Sequence, residues 1–141
     1  MGLHLESRSE TVRVLESTDV HRCAETTNHP LIIAGDLNTT PGIAPTSQRD
    51  ENGTNAFENL IQLTGLSYQP DLKPNRQQLT FPSMEPVSTI DWILFQEPEL
   101  VLNSQHVSST QLSDHLPVTA EFRVVDSSSD RPAVEPERPD Q

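Results

Sequence analysis

Leu31-Ile32-Ile33-Ala34 is an uninterrupted apolar run, unexceeded in length anywhere in the chain, and it opens directly onto Gly35-Asp36-Leu37-Asn38. Four apolar residues bounded by Pro30 and Gly35 are too few for a helix and fit a strand buried on both faces. A buried strand needs neighbours on either side and a layer on each face, so this short run already requires a sheet-containing fold. It also delivers a carboxylate and an amide just past a strand end, where layered folds place their sites.

The other elements follow from punctuation and period. Gly2-Leu3-His4-Leu5 reads as a strand. Ser7-Arg8-Ser9-Glu10 fits a capping box, with Ser7 as N-cap and Glu10 three residues on. Val12, Leu15 and Cys23 then share the apolar face of a helix over 8–26, which Asn28-His29-Pro30 terminates. Residues 41–53 hold Pro41, Gly42, Pro45, Asn52 and Gly53 and read as loop. Asn55 can cap a helix carrying Phe57, Leu60, Ile61 and Leu63, closed by Gly65. Residues 67–78 read as a polar loop, and Ile90–Phe95 and Leu100–Val107 as strands. Pro117–Val125 alternates through Val118, Ala120, Phe122 and Val124 at the period of a strand. Strands mixed with helices define an α+β or α/β layered architecture over 1–125, and the polar, aromatic-free stretch 126–141 reads as a disordered acidic tail.

Composition narrows the classes. Nothing approaches the roughly 20 apolar residues of a membrane span. The single Cys rules out an internal disulfide and a Cys-based zinc site. The net charge of −12, with Lys73 the only lysine, argues against electrostatic tracking along a polynucleotide. It leaves room for a site in which a metal cation carries the positive charge. The apolar share of 33% sits below the roughly 45–50% of ordinary domains, so the usable core is thin.

Four places hold residues capable of chemistry. Asp36 and Asn38, two apart, point the same way in an extended segment and can bind a hard cation, orient a water or hold a phosphate oxygen. They are also ordinary turn formers. Asp91 is the one carboxylate in Ile90-Asp91-Trp92-Ile93-Leu94, where a charge is costly unless paired; a histidine is its natural partner, and a solvent-facing edge position is the bland reading. Ser113-Asp114-His115 offers oxygen ligands and a proton carrier titrating near neutrality, or simply an Asp-based turn. His4 sits inside an apolar strand, where histidine is usually structural. His21, His29 and His106 read as surface residues and Cys23 as a core residue.

Taken in order, His4-Leu5, Ile33-Ala34-Gly35-Asp36-Leu37-Asn38, Thr80-Phe81-Pro82, Ile90-Asp91-Trp92-Ile93-Leu94 and Ser113-Asp114-His115-Leu116-Pro117-Val118 resemble the carboxy-terminal half of the endonuclease/exonuclease/phosphatase superfamily, the deoxyribonuclease I-like proteins. The resemblance covers about residues 2–125. It implies half of a two-sheet β-sandwich flanked by helices, and hydrolysis of phosphoesters with Mg²⁺ or Mn²⁺. In that scheme His115 moves a proton or stabilises the phosphate, and Asp91 orients it. Asp114 is a metal ligand, Asp36 and Asn38 position water and phosphate with Asp36 touching metal, and His4 donates to a phosphate oxygen.

The family's amino-terminal half, with a metal-binding Glu, has no counterpart here. Glu6, Glu10, Glu16 and Glu25 all fall on or beside the first helix. The resemblance therefore implies a fragment or a misplaced coding start, with a missing segment or a partner covering the exposed sheet. A catalytically inactive remnant or a binding module on half the fold is the alternative. The substrate stays open among a nucleic acid, a phospholipid head group and a small phosphoester. No signal peptide is present in the chain as given, so localisation is unknown, with cytoplasmic as the default.

Overall fold

The computed structural model describes residues 1–69 and 78–125. The expected tail over 126–141, most of the expected loop over 67–78, and Lys73 and Arg76 lie outside the described residues. The order is β1 (Gly2–His4), α1 (Glu10–Ala24), β2 (Ile32–Asp36), α2 (Ala56–Thr64), β3 (Ser67–Tyr68), β4 (Asp91–Phe95), β5 (Leu100–Val107) and β6 (Val118–Val124). This is an α+β fold with two sheets, one of four strands in the order β1-β2-β4-β3 and one of two, β5-β6.

β2 is the pivot of the larger sheet. It pairs in parallel with β1 and antiparallel with β4. Its pattern departs from a strand buried on both faces: Ile33 is fully buried, while Ile32 and Ala34 are half-buried. The reason is the unequal cover of the two faces. On one face Ile33, Trp92 and Leu94 form a core with Val20 of α1 and Phe57 and Leu60 of α2. Phe57 packs on Trp92 at 4.4 Å between ring centroids and on Tyr68 at 4.9 Å, edge-on. Contacts of this kind contribute about 0.5–1.5 kcal/mol each beyond their burial. On the other face Ile32, Ala34 and Ile93 keep partial exposure, and Phe95 is covered by Phe122 of β6, with ring centroids 5.1 Å apart.

α2 forms as its caps direct. The Asn55 side chain accepts from the Glu58 N–H, and Gly65 closes the helix in the left-handed conformation at φ 66°. β3 falls inside the stretch expected to be loop and adds two residues to the edge of β4. β5 and β6, both expected as strands, form an antiparallel pair.

α1 departs from expectation twice. Its N-cap is Ser9, whose side chain accepts from the Val12 N–H, not Ser7. The cause is Glu6, whose carboxylate accepts from the backbone N–H of Arg8 and of Ser9 and turns the chain before the helix starts. Glu10 is therefore the first helical residue. The buried face is also the other one: Glu10, Arg13, Ser17 and Val20 are buried, whereas Val12, Leu15 and Cys23 are exposed.

Hydrogen bonds account for this polar buried face. The Arg13 guanidinium donates to Glu10 Oε2 at 2.8 Å and to the Glu6 carbonyl at 2.8 Å, and also reaches Gln48. Glu10 Oε1 accepts from the Ala56 N–H at 2.6 Å. Asn55 Nδ2 donates to the carbonyls of Thr40 and Gln48. Ser17 Oγ donates to the Val14 carbonyl and accepts from Asn59. One buried ion pair thus ties α1, the start of α2 and the loop after Asn38 together.

Removing one member of a buried, hydrogen-bonded pair strands the other charge, at a cost of about 3–5 kcal/mol. Arg13→Ala is expected to lose at least about 3 kcal/mol in urea unfolding. Leu15→Ala, on the exposed face, should stay within about 0.5 kcal/mol of the parent. Equal losses for the two would show that the Arg13–Glu10 pair does not hold the helix.

Candidate active site

The site is set by strand register. Asp36, the last residue of β2, is paired with His4 on one side and Asp91 on the other, so all three side chains leave the same face of the sheet. The β1 backbone approaches very closely here. Gly35 has φ +149°, and a Cβ on it would lie 1.9 Å from the Leu3 carbonyl oxygen. Only glycine lets β1 come alongside and bring His4 to Asp36.

The structure brings Asp36, Asp91 and His115 together, with one potential ligand atom from each lying within 4.8 Å of the others. His115 Nδ1 is 2.9 Å from Asp91 Oδ2 and 3.1 Å from Oδ1. Its Nε2 faces Asp36 Oδ2 at 3.9 Å. His4 Nε2 lies 3.6 Å from the same Asp36 oxygen, on a side chain that is 74% exposed. Asp36 Oδ2 therefore sits between two imidazoles. Asp91 has the histidine partner that a carboxylate in an apolar strand requires.

Asn38 reaches Asp36 by a different route from the extended segment expected. β2 ends at Asp36, and Asn38 takes a left-handed conformation at φ 49°. Asparagine tolerates this region better than most residues. In this turn the Asn38 N–H donates to Asp36 Oδ1 at 2.8 Å, and its Nδ2 donates to the Leu5 carbonyl at 2.9 Å and to Asp36 Oδ2 at 3.2 Å. The amide thus braces Asp36 against the end of β1. Asp114 is exposed, accepts from Ser113 Oγ at 3.0 Å and lies outside the three-residue cluster.

His115 is held by a loop clamp. The Ser83 N–H donates to the Asp114 carbonyl at 2.7 Å, and Ser83 Oγ donates to the Ser113 carbonyl at 2.6 Å. The Leu116 N–H donates to the Thr80 carbonyl at 2.8 Å, and Gln111 Nε2 donates to the Ser83 carbonyl at 3.1 Å. Thr80 is fully buried, and its Oγ1 accepts from the Ile90 N–H beside Asp91. The Phe81 ring packs on the His115 imidazole at 4.8 Å. The Thr80-Phe81-Pro82 motif marks this segment in the sequence. Ser83 and Gln111 carry no signal there, because their role depends on a loop some 30 residues away.

Electrostatics follow from the packing. Burial by itself would lower the His115 pKa. The Asp91 hydrogen bond and charge, with the charges of Asp36 and Asp114, outweigh it and raise the pKa above 6.5. Burial raises the Asp36 pKa, the Asn38 N–H opposes that, and the Asp91 charge raises it further. A carboxylate made more basic and an imidazole whose protonated form is favoured stand side by side.

A cluster of carboxylates around a histidine offers hard oxygen donors and a proton carrier side by side. The sequence matches the Endonuclease/Exonuclease/phosphatase family over residues 3–115, and the chain belongs to that family. No curated protein matches it. Solved structures with the same fold include a conserved protein of unknown function from Enterococcus faecalis, at 17% identity and TM-score 0.62, covering 88% of this chain and 49% of that one. A mannosyl-6-phosphatase from Bacteroides thetaiotaomicron aligns at 20% identity and TM-score 0.61, covering 86% and 49%. The human Nocturnin catalytic domain with bound sulfate aligns at 18% identity and TM-score 0.57, covering 88% and 45%. The chain spans about half the length of these neighbours. No helix among the described residues is long and apolar enough to cross a membrane.

A histidine whose pKa is raised on folding stabilises the fold fully below its unfolded pKa, and that contribution is lost as pH rises through the folded pKa. With divalent cations chelated, the part of the stability carried by the His115–Asp91 pair should fall as pH rises from about 6.5 through the raised value. In Asp91→Asn, the NMR titration midpoint of His115 should move down. An unchanged midpoint would show that Asp91 is not what holds the imidazole protonated.

Proposed function

We propose that this chain carries catalytic residues of a divalent-metal-dependent phosphoester hydrolase. The observation that carries the reading is the Asp36–His115–Asp91 arrangement, braced by Asn38 and clamped by Ser83. Asp91 accepts from His115 Nδ1 and fixes the imidazole, leaving Nε2 directed at the Asp36 side. With its pKa raised, His115 serves as an imidazolium that binds a non-bridging phosphate oxygen and donates a proton to it or to the leaving oxygen. Asp36, made more basic by burial, accepts the proton of the attacking water as the new P–O bond forms and the ester P–O bond breaks. His4, exposed and beside Asp36, donates a further hydrogen bond to the phosphate.

The carboxylate oxygens of Asp36 and Asp114 are hard donors of the kind that Mg²⁺ or Mn²⁺ accepts, and Asp36 lies in one cluster with a second carboxylate, Asp91. Asp36 and Asp114 would hold it, and bound there it would neutralise phosphate charge. A Glu ligand and the cover for the half-exposed sheet face would come from a further segment or a partner. The low Lys and Arg content and the net charge of −12 favour a small phosphoester over a tracked polynucleotide. One structural neighbour is by name a phosphatase of a mannosyl 6-phosphate.

The test is hydrolysis of bis(p-nitrophenyl) phosphate and p-nitrophenyl phosphate by the chain with Mg²⁺ or Mn²⁺. His115→Ala and Asp36→Asn should each lose about 10²–10⁴-fold in kcat, the range of a general acid or base. Addition of a chelator should abolish turnover. Variants that keep the parent rate would refute this assignment.

A further inference from the structure

Trp92 is the chain's single tryptophan, and it has a polar contact as well as a place in the core. Its ring packs on Phe57 and Tyr68 under the helices. A phenylalanine would fill much of the same space. The indole adds one buried N–H, which destabilises a core unless it finds an acceptor. Nε1 donates to the Thr39 carbonyl at 3.1 Å, and Trp92 and Thr39 are each only 4% exposed.

Thr39 follows Asn38, the only described residue other than glycine with a positive φ. A left-handed asparagine is tolerated but strained, and it persists where its surroundings fix it. Here the two neighbours of Asp91 do the fixing. On one side of Asn38 the Leu37 N–H donates to the Ile90 carbonyl at 2.8 Å. On the other side the Thr39 carbonyl accepts from Trp92. Residues 90 and 92 thus hold residues 37 and 39, with Asp91 and Asn38 between the two bonds. The Ile90 bond is backbone to backbone and continues the pairing of β2 with β4. The Trp92 bond depends on the identity of one side chain.

We propose that Trp92 is a positioning residue: its indole N–H fixes the turn that aims Asn38 at Asp36, and it acts on the reaction through that pair. This rests on the phosphoesterase reading above. Asn38 meets Asp36 through its backbone N–H and through Nδ2, so a turn free to relax takes both bonds with it. Asp36 then loses its aim at the attacking water. His4 and His115, the groups assigned to the phosphate, sit on other segments and keep their places. The loss therefore falls on kcat and spares KM.

Trp92→Phe keeps a ring in the core and deletes the N–H. With Mg²⁺ and p-nitrophenyl phosphate, kcat is expected to fall about tenfold while KM stays within about twofold. By NMR, hydrogen exchange at the Asn38 amide should speed up about tenfold relative to the amides of the β2–β4 ladder in the same protein. In Asn38→Gly the residue occupies the left-handed region freely, so the indole bond has less to hold, and adding Trp92→Phe should cost less than about threefold in kcat. Leu60→Val, a core change with no bond to the turn, should lower Tm and leave kcat and Asn38 exchange at the parent values. Unchanged kcat or unchanged Asn38 exchange in Trp92→Phe, or an undiminished loss in the Asn38→Gly background, would overturn the proposal. So would the same pattern in Leu60→Val, because lost packing would then account for it. If the parent does not hydrolyse p-nitrophenyl phosphate at all, the phosphoesterase reading fails, and Asn38 exchange alone decides whether the indole holds the turn.

Discussion

Two carboxylates face each other across β2 and β4, Asp36 opposite Asp91, and the functional end of the molecule follows from that register. Side chains alternate along a strand, so a slip of one residue would send both acids to the face packed under the helices. In place, they raise the local negative charge until a proton or a cation is retained. The molecule answers with His115 against Asp91 and with two hydrogen bonds from Asn38 to Asp36. Gly35 fixes the geometry from the other side by admitting β1 and its histidine. The acids hold their neighbours, and the backbone holds the acids.

This arrangement needs a rigid surround, and the chain builds one with few apolar residues. Its interior has a single aromatic and aliphatic core under the helices, with Phe57, Trp92 and Leu94 at its centre. Beyond that core, buried polar groups do the joining. Glu10, Arg13 and Asn55 link both helices to the loop that leaves Asn38, and Thr80 and Ser83 link the β4 entry to the turn that carries His115. A satisfied buried network fixes geometry more narrowly than apolar contact does, because each bond has a direction. For a site whose side chains must hold fixed distances, direction matters more than added stability.

The parts of the fold legible in the sequence are those whose signals are local. Asn55 and Gly65 bracket α2 because caps act within a turn, and Val118, Ala120 and Phe122 announce β6 by their period. The apolar run at 31–34 marks β2, and Asp91 within an apolar strand correctly implies a histidine partner. The misread parts depend on distant atoms. The apolar residues of α1 face outward because the inward face is paid for by hydrogen bonds to residues around 48–59, which no periodicity records. Ser7 loses the cap to Ser9 through the side chain of Glu6. β3, two residues long, exists only as an edge of β4. Ser83 and Gln111 acquire their roles only when the loops meet.

The charge of the chain bears on how such a site can function. A phosphoester is an anion, the protein carries −12, and the mouth of the site presents Asp36, Asp91 and Asp114. His115, whose protonated form Asp91 favours, offsets one of these charges, which leaves little attraction for a dianion. Under the proposed reading, substrate and divalent cation would therefore bind with positive linkage, each raising the affinity for the other by the same factor. Under that reading, a chain this acidic would need no basic face to act on phosphate. The acids that repel the substrate are the groups that gather the charge able to hold it.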